Sequence, residues 1–181
     1  MKTICKFLIV ILFFSIATVY ADTIRDPRLE RAIKKVLYNF NPSWPIPVED
    51  LEKLTKLNVH WKGIVDLTGL EYCTNLKKLE LSFNEITDIS PLSELVNLEE
   101  LGLTNSGITD ISPLSKLVNL EKLYLNYNKI TDISPLVRNS GLSNGDLVDL
   151  TNNPELSRDS ILIYIPALQD RKVEVKWSTK E

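Results

Sequence analysis

LKKLELSFNEITDISPLSELVN, residues 76–97, runs without a gap into LEELGLTNSGITDISPLSKLVN, residues 98–119, and LEKLYLNYNKITDISPLVRNSG, residues 120–141. LTKLNVHWKGIVDLTGLEYCTN, residues 54–75, precedes them in the same register, so the spacing of 22 holds over 88 residues. Leucine recurs at positions 1, 4 and 6 of the unit, with Val59 replacing one, and an aliphatic residue recurs at 11, 14 and 17. A unit of this size cannot bury its own apolar face. Neighbouring units must therefore stack and share one core, which accounts for most of the 29 leucines in a chain of 181 residues.

Within a unit, Leu79-Glu80-Leu81-Ser82-Phe83-Asn84 alternates apolar and polar with period 2 and predicts a short strand. Ser90-Pro91-Leu92, Ser112-Pro113-Leu114 and Ser134-Pro135-Leu136 then place Ser as N-cap and Pro at the first position of a one-turn or 3₁₀ helix. Asn84 and Asn128 at position 9 are suited to pair with backbone left unbonded where the chain leaves the strand. Lys62 and Ser106 occupy that position in the first and third units and predict a weaker stack there.

These residues resemble the leucine-rich repeat family, in particular the bacterial 22-residue class of internalin-like proteins, whose unit reads LxxLxLxxNxITDISPLSxLxNL. The resemblance covers Leu54 to about Gly141 strongly and the flanks weakly. It implies an α/β fold: a right-handed solenoid with short parallel strands on the concave face and 3₁₀ or short helical turns on the convex face. It also implies a non-enzymatic binding scaffold, a role that the fold shares among many different partners.

Both ends of an open solenoid need covering. Asp26-Pro27 opens a helix carrying Leu29, Ala32, Ile33, Val36, Leu37 and Phe40 at helical spacing, expected to end near Asn41-Pro42. A Pro-rich loop and a short helix over about Val48 to Lys53 lead into the first repeat. Behind the repeats, a fifth strand at Leu147–Leu150 follows a register slip of three, with Asn153 resuming the position 9 role. Helical turns over Ser157–Asp170, interrupted at Pro166, and a last strand at Val173–Trp177 complete a tail that resembles C-terminal caps of this class. The expected organisation is 1–21 signal peptide, 22–53 helical cap, 54–141 four repeats, and 142–181 irregular fifth repeat and cap.

The first 21 residues have Lys2 and Lys6, an apolar run from Phe7 to Val19, and small residues at Val19 and Ala21, the layout of a cleaved secretory signal. The run of about 13 falls short of the roughly 20 residues a spanning helix needs. The expected product is secreted, extracellular or periplasmic. No sorting motif or stalk is read before the chain ends at Glu181, so no stable membrane anchor is expected after signal cleavage; separately, a monomer is expected. Net charge is −3, and −5 once the two lysines leave, so there is no basic excess for nucleic acid. Only Cys73 remains after signal removal, expected as a small buried side chain, and His60 is the sole histidine. No phosphate loop, metal-ligand cluster or nucleophile beside a base is found, so neither an enzyme nor a cofactor is expected.

Function is then sought between the leucines, at positions 3, 5, 7 and 8 on the concave face. The candidate partner-binding residues are Asn58, His60, Trp61, Glu80, Ser82, Phe83, Thr104, Asn105, Tyr124, Asn126, Tyr127 and Asp149. Trp61, Phe83 and Tyr127 offer large contact area with little rotamer freedom to lose, as interface centres do; alternatively these rings only pack the stack. A protein partner is expected, with an adhesin or host-interaction role implied by the resemblance, and carbohydrate stacked on the three rings is the alternative. Asp66, Asp88, Asp110 and Asp132 recur at position 13. They are read as loop carboxylates accepting local backbone bonds, with a calcium column as the alternative.

Overall fold

The computed structural model describes residues 24–40 and 43–178; the expected signal peptide, residues 1–21, lies outside them. The first helix, α1 (Pro27–Tyr38), is capped by Asp26, whose Oδ1 accepts Arg28 N at 2.8 Å and Leu29 N at 3.4 Å. It ends before Asn41, because Asn39 enters the left-handed region (φ 60°) and its N–H returns to Lys35 O. One turn, α2 (Val48–Leu51), follows.

Six three-residue strands, β1 (Lys56–Asn58), β2 (Lys78–Glu80), β3 (Glu100–Gly102), β4 (Lys122–Tyr124), β5 (Leu147–Asp149) and β6 (Glu174–Lys176), form one parallel sheet in chain order. Equivalent residues face each other: Leu57↔Leu79, Leu79↔Leu101 and Leu101↔Leu123. At β4–β5 the pairing Leu123↔Val148 absorbs the three inserted residues in the connecting loop. Opposite the sheet, 3₁₀ turns lie at Leu70–Tyr72, Ser90–Glu94 and Ser112–Lys116, and α3 (Ser134–Arg138) takes their place in the fourth unit. The leucines, isoleucines and Cys73 between these two layers make one continuous buried core from α1 to the last cap. That is an α/β leucine-rich-repeat solenoid.

The serine of Ser-Pro-Leu is not the cap. It is the first helical residue, preceded at the cap position by Ile89, Ile111 or Ile133, and the aspartate two places earlier accepts its N–H: Ser90 N, Ser112 N and Ser134 N donate to Asp88, Asp110 and Asp132 Oδ1, each at 2.8 Å. A carboxylate reaches this N–H as an Asx turn, which leaves the serine free to adopt helical dihedrals.

The C-terminal helix is not interrupted at Pro166 either. A π turn over Ser160–Tyr164 brings Ile165 N to Ser160 O, and α4 (Ile165–Asp170) continues directly from it. Proline, having no N–H, fits immediately after this widened turn. Among the described residues no helix is long and apolar enough to cross a membrane.

Candidate functional site

Strands β1 to β5 each bury their middle residue, and their flanking side chains turn to the concave face. The parallel register then lines up rows across the concave face: Lys56, Lys78, Glu100 and Lys122 in one, and Asn58, Glu80, Gly102, Tyr124 and Asp149 in the next. Gly102 opens a gap in the second row. The carboxylate of Glu80 fills it, lying 2.3 Å from where a Cβ on Gly102 would stand. A shallow hollow of about 430 Å³ results, bordered by Lys56, Asn58, Lys78, Glu80, Glu100 and Gly102. A second of about 390 Å³, sharing Asn58 and Glu80, is lined also by His60, Ser82, Phe83 and Thr104.

Seven of the twelve candidates, counting Asn58, His60, Glu80, Ser82, Phe83 and Thr104 around that second hollow and Trp61 stacked on Phe83, are thus brought together. Asn105, Tyr124, Asn126, Tyr127 and Asp149 lie further along the face, in the third to fifth units. Tyr124, Asn126 and Asp149 are only partly exposed.

Several of the polar candidates hold up the chain where it leaves the strand. Asn58 Oδ1 accepts His60 N (3.3 Å) and meets His60 Nδ1 (2.7 Å); Glu80 Oε1 accepts Ser82 N (2.8 Å); Asp149 Oδ1 accepts Thr151 N (3.0 Å). Where Gly102 leaves no acceptor, Ser82 Oγ from the preceding unit takes Thr104 N at 3.0 Å. Thr104 Oγ1 donates in turn to Asn126 Oδ1 at 2.7 Å. Such side chains are preorganised, because their rotamers are locked before any ligand arrives.

Position 8 is not on a strand. Trp61, Phe83, Asn105, Tyr127 and Asn152 all occupy the left-handed region, with φ from 52° to 59°. Asparagine tolerates this region, whereas a bulky aromatic residue there costs on the order of 1 kcal/mol or more. Nevertheless Trp61 is 68% exposed, Tyr127 56% and Phe83 37%. Trp61 and Phe83 stack with ring centroids 4.6 Å apart and planes within 7°. The pure-packing alternative therefore holds for one face of each of two rings, and the exposed remainder contributes nothing to the core.

The position 9 stack is built as expected and has its gap where Ser106 stands. Asn84 Oδ1 accepts Lys62 N and Ile64 N, both at 3.0 Å, and its Nδ2 donates to Val59 O and Leu81 O. Asn128 repeats this with Ser106 N, Ile108 N, Leu103 O and Leu125 O, and Asn153 with Ile130 N, Leu125 O and Leu150 O. Ser106 Oγ reaches only its own unit, at Thr104 O. A second asparagine row escaped the sequence reading, although Asn recurs at position 22. Asn75, Asn97 and Asn119 donate to Glu52 O, Thr74 O and Val96 O, one unit back.

Asp66 behaves like the three aspartates that follow it, with Thr68 N on Oδ1 at 2.7 Å, and its hydrogen bonds from Thr68 hold its carboxyl below the ordinary value. Among the described residues no group of three or more His, Cys, Asp or Glu side chains could hold a metal. Cys73 is fully buried, and burial, with Glu71 adding, pushes its thiol up to about 12. Its counterpart in the fourth unit is Asn139, a buried amide that donates to Leu114 O and Leu117 O and accepts Gly141 N. Arg171 then binds Asn139 O and Val137 O, tying the terminal cap to the fourth unit.

A family model described as Leucine Rich repeats (2 copies) matches residues 74–116 and 96–162. The crystal structure of an internalin, inlF, from Listeria monocytogenes is 36% identical over 88% of this chain and 46% of its own, with a TM-score of 0.73. The functional domain of InlJ from the same organism, described as including a cysteine ladder, is 26% identical over 77% of this chain and 34% of its own, with a TM-score of 0.54. The chain thus spans about half the length of the first of these and a third of the second. No curated protein matches it in sequence.

Proposed function

Because the chain belongs to the leucine-rich repeat family and carries its internalin-like unit, we propose that it is an exported binding module that engages a protein partner through its concave face. The observation that carries the reading is the position 8 column. Three aromatic side chains stand exposed on a backbone conformation that asparagine would fill at lower cost. Stability does not account for that choice, whereas a desolvated partner surface does.

The centre of the proposed interface is the Trp61–Phe83 stack with the hollow of Asn58, His60, Glu80, Ser82 and Thr104, and Tyr127 is a second anchor. Asn105, Tyr124, Asn126 and Asp149 extend the contact along the sheet. The mixed charge of Lys56, Lys78, Lys122, Glu99, Glu100 and Glu121 favours a protein over a polyanion. The proposed role is non-enzymatic, in secretion or surface interaction, by a monomer.

Affinity capture with the triple variant Trp61→Asn, Phe83→Asn, Tyr127→Asn tests this. The expected result is loss of the captured protein with unfolding free energy within about 1 kcal/mol of the parent, since relief at φ > 0 offsets the lost stacking. A fall of more than about 2 kcal/mol would mean that the rings serve packing. Retention on a glycan array that depends on the same rings would assign the face to carbohydrate instead.

A further inference from the structure

We propose that the N-terminal cap carries an anion site, separate from the concave face, that takes one compact oxyanion of the phosphate- or sulfate-ester class. A hollow of about 500 Å³ lies between α1 and the turn after β1, lined among the described residues by Arg28, Arg31, Ala32, Lys35 and Lys62. Four of these five are cations and none is an acid. Helical spacing puts residues 28, 31, 32 and 35 on one face of α1, and Lys62 closes the hollow from the first repeat. Ala32 between them leaves room.

Two of the neighbouring acids are committed elsewhere. Glu30 pairs with Lys34 at 2.8 Å, and Asp26 holds Val65 N at 2.9 Å as well as the helix N-terminus. No ion pair to Arg28, Arg31, Lys35 or Lys62 is found among the described residues.

Arg28 is preorganised. One Nη donates to Gly63 O at 2.8 Å, and its guanidinium lies over Gly63, 3.8–3.9 Å from where a Cβ would be. The remaining guanidinium edge can present a planar donor pair to an oxyanion, as arginine does for phosphate and sulfate. A cation in the first turn also opposes the helix dipole, so Arg28 is not placed there for the helix. The chain as a whole is acidic, at −3. An extended polyanion would meet repulsion beyond the hollow, whereas a single compact charged group would not.

The test is a titration of the purified, isotope-labelled protein with inorganic phosphate and, separately, with phenyl phosphate, at ionic strength held constant with sodium chloride. Backbone amide shifts of Arg31, Lys35 and Lys62 are followed. Saturable shifts confined to these residues are expected, with affinity falling about tenfold in Arg31→Ala and in Lys62→Ala. Both side chains are exposed and outside the core, so the melting temperature of these variants should equal the parent's. Saturation by both probes supports a site for the free ion and the ester alike, and saturation by phenyl phosphate alone supports an ester carried on a larger ligand. Shifts reproduced by chloride, no saturation by either probe, or affinity equal to the parent's in both variants would overturn the proposal.

Discussion

Replacing Asn128 by Ala removes the amide that joins the third unit to the fourth. Its Oδ1 accepts Ser106 N at 3.1 Å and Ile108 N at 3.0 Å, and its Nδ2 donates to Leu103 O at 2.8 Å and Leu125 O at 2.9 Å, all in a site where the side chain is 3% exposed. Leu125 O keeps a second donor in Asn153 Nδ2 at 2.9 Å. Ser106 N, Ile108 N and Leu103 O therefore lose the partner described for them. A buried group left without its bond costs about 1–3 kcal/mol. Some water entry at the turn lowers the sum, and a loss of about 4 kcal/mol is expected.

Urea unfolding followed by far-UV circular dichroism reads this directly. With a slope of about 2 kcal/mol per molar, the midpoint should fall by about 2 M at unchanged slope. Asn105→Ala, at the exposed left-handed position next door, is the control and should shift by less than half as much. A loss below about 1 kcal/mol for Asn128→Ala would refute the view that these amides, beyond the leucines, hold successive units together.

Four further outcomes are expected. Ser106→Asn supplies the missing amide between the second and third units and should stabilise by about 1 kcal/mol in the same urea assay, whereas a loss would show the gap to be occupied. Gly141→Ala should cost about 3 kcal/mol, because a Cβ there would lie 1.7 Å from Val118 O, a backbone atom that cannot swing aside; an unchanged midpoint would contradict the contact. Asp26 is raised by burial, but N–H donors from Val65, Arg28, Leu29 and Asp66 outweigh this and set its carboxyl below the usual 3.8. Its contribution is thus present above that pH and lost as pH falls through the lower folded value, so the stability gap between the parent and Asp26→Asn should close below about pH 4; a gap constant from pH 7 to 2 would exclude it. Cys73, buried and with its thiol near 12, should react with a thiol reagent at neutral pH only on unfolding, and prompt labelling of the native protein would show the core to be open.

Much of the scaffold was legible because a repeat states its own register. The spacing of 22 placed four of the six strands in advance, a slip of three added the fifth at Leu147–Leu150 and alternation the sixth at Val173–Trp177, and Asn84, Asn128 and Asn153 were readable as polar residues at a position where an otherwise apolar frame turns. The errors fell where one local choice competes with another. Ser90 is a good cap residue by type, but Asp88 holds its N–H from two places earlier, which moves Ser90 into the helix and leaves Ile89 at the cap position. Pro166 looked like a break, since the preceding π turn depends on packing that local propensity does not report.

The candidate site was less legible. Its residue types could be chosen by subtraction from the leucine pattern, but not their backbone state. That Trp61, Phe83 and Tyr127 sit at positive φ, and that Asn58, Glu80 and Asp149 pin the N–H two residues on, needed the chain traced in space.

Periodicity by itself determined the solenoid, its shared core and the order of the strands, because 22-residue units of leucines have one way to leave water together. Tertiary structure alone decided which side chains meet across units: Trp61 on Phe83, Glu80 over Gly102, and the cations of α1 against Lys62. Those pairings join residues 22 or more places apart, and their geometry depends on twist, stagger and backbone conformation summed over the stack, which no local pattern of residues encodes.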